Sequence, residues 1–196
     1  MLVVNHIMKN RVINQYEISK KTKISRSYVN HIIMNLNALN IVTKKSQFYY
    51  LNDPFKLLQM ISFERPFIQL KKYEFRLPID NIKNSEQIIK KYSEENKIKY
   101  AFTMYSGLKR YYEYHLSYPL IHAYVEDIDK YENLRKGEGP IQIVLVQPDY
   151  DFILDDRIKI GDDYVCDAIQ IIIDLFSSGI GRDAAYKYLN VINSEQ

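Results

Sequence analysis

Apolar positions 2, 3, 4, 7 and 8 (Leu2, Val3, Val4, Ile7, Met8) open the chain and predict a short helix over residues 2–9. Asn14 is placed to cap a second helix over 15–22, with Ile18 turned inward. Lys23-Ile24 make a tight connection, and Ser25 stands where a helix N-cap belongs. Beyond it Val29, Ile32, Ile33, Leu36 and Leu39 recur at three- and four-residue steps, the apolar stripe of a longer helix. At about 100° per residue, Ser27, Asn30, His31, Met34 and Ala38 face away from that stripe. Asn40 suits a left-handed helix exit. Residues 41–45 and 48–51 are β-rich and flank Ser46-Gln47, a hairpin with a polar tip. Asn52-Asp53-Pro54 ends it, and 55–63 reads as another short helix.

Helix, helix, longer helix and hairpin is the element order of a winged helix-turn-helix domain. Residues 17–29 resemble the helix-turn-helix signature of bacterial and archaeal regulators, with Ile24 before the turn, Ser25 starting the recognition helix and Val29 four positions later. Lys23 and Asn40 stand where that pattern often has glycine. The major groove admits one helix, whose N-terminal exposed side chains meet base edges. Ser25, Arg26, Ser27, Tyr28, Asn30 and His31 are the residues so placed; Asn30 suits adenine, and Arg26 suits guanine or a phosphate. Lys44, Lys45, Ser46 and Gln47 form the wing, and Lys20, Lys21 and Lys23 approach phosphates. An exposed polar helix face that binds only protein is the competing reading.

The remaining two thirds predict a mixed α/β domain, so the fold class is α+β with domains at 1–63 and 64–196. Strands are expected at 73–79 (at an edge or end, because of Pro78), 100–104, 120–125, 141–146 and 157–160. Helices are expected from a cap at Asn84 or Ser85 to about 95, after Ser106-Gly107 to about 113, over 127–136, over 165–176 and over 183–189. The break at 177–181 carries Gly179 and Gly181.

Composition narrows the classes. With 46% apolar and 13% aromatic residues in 196, the chain is neither disordered nor too small for a core. A single cysteine, Cys166, excludes a disulfide scaffold and the cysteine-rich zinc folds. No apolar run reaches the roughly 18 residues of a membrane span, and no signal peptide is visible, so a cytoplasmic protein is expected. The charge is unevenly placed: the first 60 residues carry nine basic groups against two acidic ones, or +7, which leaves −4 on the remainder of a chain whose net charge is +3. A basic first third suits a polyanion.

Four further segments carry a family resemblance. They are 102–108 with Ser106-Gly107, Tyr124-Val125-Glu126-Asp127, 141–146 followed by Gln147-Pro148, and a helix–Gly–Arg–helix ending through Val165, Asp167, Gln170, Asp174, Leu175, Gly181, Arg182, Ala184 and Ala185. In this order, behind a winged helix, they resemble the AbiEi family of antitoxin-type transcriptional regulators from type IV toxin–antitoxin systems. The resemblance implies a repressor that binds operator DNA of its own operon. It also implies a genetically linked nucleotidyltransferase toxin, opposed without a stable complex. A homodimer reading a palindromic double-stranded operator is the expected assembly.

Enzymatic readings are weaker, and no catalytic residue, metal or cofactor is expected. Asp149-Tyr150-Asp151 with Asp155-Asp156, after a predicted strand, has the carboxylate spacing of a metal-dependent nucleotidyltransferase, yet the Gly-Ser helix start that fold needs is missing. Asp clusters after strands are commonly turns. No Walker loop occurs, and Gly179-Ile180-Gly181 is too short for a dinucleotide fingerprint. Cys166 reads as a buried helical residue, and His31 lacks a second ligand at metal spacing. Tyr111, Tyr112, Tyr114 and Tyr118, with His115, Lys109 and Arg110, offer a ligand pocket or a stacking surface for single strands; the favoured reading is that the tyrosines fill core positions.

Overall fold

The structure is a computed structural model and describes residues 1–112 and 119–194. The chain divides into two compact units, Met1–Arg65 and Pro66–Gln196. Both mix helix and strand, and the class is α+β. No helix among the described residues is long and apolar enough to cross a membrane.

The first unit runs α1 (Leu2–Asn10), β1 (Val12–Ile13), α2 (Gln15–Thr22), α3 (Arg26–Ala38), β2 (Val42–Lys45), β3 (Phe48–Leu51) and α4 (Pro54–Glu64). Its helix starts are set by side chains. Asn14 Oδ1 accepts from the backbone N–H of Tyr16 and Glu17, Ser25 Oγ from Tyr28 and Asp53 from Lys56. The core gathers Val3, Ile7, Ile13, Ile18, Val29, Ile33 and Leu36, each almost fully buried. The helix spacing that predicted this stripe fails at Leu39, which is 46% exposed. Leu39 lies past the last helical residue, at the C-cap, so the 3.6-residue period no longer governs it. The two-residue β1 was not expected from the sequence. It pairs antiparallel with β3, and the sheet order is β1-β3-β2.

The second unit contains β4 (Lys72–Arg76), α5 (Ile82–Glu95), β5 (Tyr100–Phe102), α6 (Met104–Leu108), β6 (Leu120–Val125), β7 (Gln142–Val146), α7 (Phe152–Asp155), β8 (Ile158–Ile160), β9 (Asp163–Val165), α8 (Ala168–Ser177) and α9 (Arg182–Ser194). The strands form one mixed sheet, β4-β7-β6-β5-β9-β8, with β6 parallel to β7 and β5 parallel to β9. β4 stands at the edge, as Pro78 just beyond it predicts. Alternation along the strands sends Phe75, Tyr100, Phe102, Ile121, Ala123, Ile143 and Leu145 into one core, which Ile89 of α5 joins.

Several expected boundaries move. The α5 cap is Asn81, which accepts from Asn84 N, so the helix starts earlier than a cap at Asn84 or Ser85 would allow. α6 begins at Met104, contains Ser106-Gly107 instead of following them, and ends at Leu108; residues 109–112 form turns and a bend where the helix was expected to continue, and 113 lies outside the described residues. Gly107 has to be glycine here, because a Cβ would sit 2.8 Å from both Phe102 O and Ile171 Cδ1. The charged stretch 127–136 holds only a 3-10 turn, Asp129–Tyr131. The predicted helix 165–176 is a strand end, a short link and then α8, whose cap Asp167 accepts from the N–H of Ile169 and Gln170. Cys166 therefore lies outside the helix, though it is buried as expected.

Two buried polar clusters brace this unit. Asp174, in the middle of apolar α8 and fully buried, accepts from Thr103 Oγ1 at 2.6 Å, Tyr124 OH at 3.0 Å and Gln170 Nε2 at 2.8 Å. On the sheet's other side Glu86 meets Arg110 at 3.1 Å and Lys109 at 2.7 Å. The Arg110 guanidinium reaches Asp163 at 2.8 Å and lies 4.3 Å from the centre of the Phe102 ring.

Candidate nucleic-acid interface

The thirteen residues singled out by sequence all lie in the first unit, and all thirteen are exposed. Lys20 and Lys21 sit in the last turn of α2. Lys23 ends that helix at φ 58°, ψ 18°, the left-handed conformation that the glycine of the usual turn supplies without strain. Ser25 starts α3, and Arg26, Ser27, Tyr28, Asn30 and His31 occupy its first two turns. At about 1.5 Å per residue the thirteen residues of α3 extend about 20 Å. Its two exposed N-terminal turns are of a size to enter a groove about 12 Å wide.

Hydrogen bonds fix part of this face. Gln15 Nε2 donates to Asn30 Oδ1 at 2.9 Å, tying the start of α2 to the outer side of α3. The His31 Nε2 and the Asn35 side-chain amide stand 3.2 Å apart on successive turns. Gln15 and Asn35 were not among the residues read as functional. Asn35 sits at helical spacing from His31, a signal the sequence carried; Gln15 is distant in sequence and carried none.

The hairpin presents its charges on two sides. Lys44 pairs across the ladder with Tyr49, its ammonium 6.0 Å from that ring. Lys45 stands 5.4 Å from the Tyr50 ring. Neighbouring strand residues point to opposite faces, so the two lysines leave the hairpin in opposite directions. Tyr49 is buried, and its hydroxyl donates to Met34 Sδ of α3 at 3.7 Å, so Lys44 is on the helix side of the hairpin and Lys45 on the other. Ser46 turns the chain at φ 57°, and Gln47 completes the two-residue tip. Lys56 Nζ donates to Leu39 O at 2.7 Å, capping the end of α3. The field around α1 and α2 is positive: His6 has its pKa lowered by partial burial and then by the charges of Lys21 and Lys9.

The candidates for other chemistry do not assemble. Among the described residues, no three His, Cys, Asp or Glu side chains come together to hold a metal ion. Asp149 and Asp151 lie in the exposed turn before α7, and Asp155 pairs with Lys99 at 3.0 Å. Lys109 and Arg110 are engaged by Glu86 and Asp163, as above. Tyr111 donates to Cys166 O at 2.9 Å, and Tyr112 stacks on Tyr188 with ring centres 6.1 Å apart, so both fill packing positions. Tyr114, Tyr118 and His115 lie outside the described residues. No protein-family model, curated protein or solved structure matches the chain.

Proposed function

We propose that the protein is a sequence-specific transcriptional regulator that binds double-stranded DNA through a winged helix-turn-helix in its first unit. One observation carries the reading: the N-terminal turns of α3, the end of α2 and the β2–β3 tip expose thirteen polar and basic side chains, within a segment of charge +7. The α2 lysines and the wing lysines neutralise phosphates and set the docking register, which supplies affinity but no sequence information. Arg26, Ser27, Asn30 and His31 meet base edges in the major groove. The antiparallel order β1-β3-β2, with the β2–β3 hairpin following α3 in the chain, supports the reading of a wing beside a recognition helix.

The resemblance to AbiEi-type antitoxins extends the proposal to repression of the protein's own operon, as a homodimer on a palindromic operator. The test is a mobility shift at moderate salt with DNA from upstream of the gene against random DNA of equal length. A preference for upstream DNA that survives competitor supports the reading. Equal affinity for both, with Arg26→Ala and Asn30→Ala changing neither, overturns it. A pull-down that recovers a protein partner in the absence of DNA, abolished by the same substitutions, moves the face to protein recognition.

A further inference from the structure

One side of the second unit's sheet carries a pocket that the DNA reading does not use. Because Phe75, Ile121, Ile143 and Leu145 point into the core, Glu74, His122, Gln142 and Val144 project from the opposite face. Phe67 and Ile68, Met104 at the start of α6, and Ser178 and Ile180 after α8 enclose that surface. The space is about 260 Å³, just below the usual range of drug-sized ligand sites and suited to a smaller molecule. Ile68 and Ile180 at its border are 80% and 68% exposed, so the surroundings are apolar as well.

His122 is the informative residue. It is 6% exposed, its ring stands edge-on to Phe67 at 5.9 Å, and it lines the pocket. Neither ring nitrogen has a hydrogen-bond partner among the described residues. Its ring nitrogens are not sealed within the core, and the residue lines the open space of the pocket. Burial also pulls its pKa down to about 4, with Lys72 contributing, so at neutral pH the ring offers one N–H donor and one bare nitrogen. Lys72, on the same wall, has its ammonium 5.0 Å from the Phe67 ring. No carboxylate among the described residues lies within ion-pair distance of it. Glu74 is the remaining charge, and one of its oxygens accepts from Gln142 Nε2 at 2.7 Å.

From the unpartnered imidazole, the unpaired ammonium and the apolar walls, we infer that this pocket binds a small organic carboxylate with an apolar body. Lys72 and the His122 N–H take the carboxylate, and Phe67, Met104, Leu120 and Val144 take the body. Two sources share that chemistry, a simple carboxylic acid and an apolar α-amino acid. Glu74 distinguishes them, since only the amino acid brings an ammonium group for it.

The experiment is calorimetric titration of the full chain with 3-phenylpropionate, phenylalanine and 3-phenylpropanamide, followed in parallel by the ring-nitrogen NMR signals of His122. The expected result is saturable binding of at least one carboxylate, about tenfold or more tighter than the amide. His122 signals shift with saturation, and Lys72→Gln weakens binding by about tenfold. Tighter phenylalanine assigns the site to amino acids, and tighter phenylpropionate to simple acids. Val144→Trp, which fills the space from the neighbouring strand of the same sheet face, abolishes binding and serves should Lys72→Gln disturb the edge strand. Absence of saturation by either carboxylate up to about 10 mM overturns the inference, as does binding that both variants leave intact.

Discussion

Gln15 holds Asn30 by the oxygen of its amide, at 2.9 Å, and so sets which edge of that side chain faces outward. An asparagine that reads adenine must present its donor and acceptor together, and a fixed amide does so with less entropy to lose. Asn30→Ala is therefore expected to cost about 1–3 kcal/mol on the preferred operator and to relax preference at one base position. Gln15→Ala should relax the same position more weakly and leave random-sequence affinity unchanged. Selection of bound sequences from a randomised pool reads both effects.

Lys44 and Lys45 make the opposite kind of contribution. Each single alanine variant should weaken binding to all sequences alike and reduce the salt slope of the binding constant by about one. Because the two side chains leave the hairpin on opposite faces, their effects should differ in size, with Lys44, on the α3 side, the larger. Affinity measured across a salt series checks this.

Lys23 separates stability from affinity. Its left-handed backbone costs a non-glycine residue about 1 kcal/mol, which Lys23→Gly recovers apart from the entropy of the unfolded glycine. The variant should unfold at a higher denaturant midpoint and, on the proposed DNA-binding reading, bind DNA less tightly, since one of the proposed phosphate-contacting charges is gone.

His122 gives the second unit an acid sensitivity. Its native pKa of about 4 lies below the unfolded value of 6.5, so the unfolded chain binds more protons between those limits. This contribution is complete above pH 6.5, declines as the pH falls and reaches its full loss, roughly 3 kcal/mol, near pH 4. Lys72 and Glu74 are the charged groups sharing its pocket. Urea unfolding at pH 7 and pH 4.5 should show a smaller loss for His122→Gln than for the wild type.

Asp174 anchors three donors inside α8, so Asp174→Ala should destabilise the second unit by about 3 kcal/mol through buried hydroxyls left without an acceptor. Thr103→Val, which removes one donor only, should cost about 1 kcal/mol. Thermal unfolding followed by circular dichroism compares them.

What was legible in the sequence was local. Caps at Asn14 and Ser25, the stripe through Val29, Ile33 and Leu36, and the polar tip at Ser46-Gln47 all depend on residues within a few positions of one another. That is why the proposed DNA face could be named residue by residue. The losses were tertiary. β1 is two residues long, and only its pairing with β3 makes it a strand. Asp167 and Cys166 were drawn into a helix because an apolar run does not show where a cap will fall. The pocket joins Lys72, His122 and Ile180, which are brought together by sheet order and by the turn after α8, and no spacing along the chain announces it.

The short β1 strand has a consequence for solubility. By pairing with β3 it covers that strand's second side with only two residues, so β2 is the longer of the sheet's two open borders. An open border is a template for recruiting foreign strands, and charged lysines on it discourage that. Lys44 and Lys45 thus guard the molecule against self-association in the absence of any nucleic acid, and removing both at once would trade a binding defect for an aggregating protein.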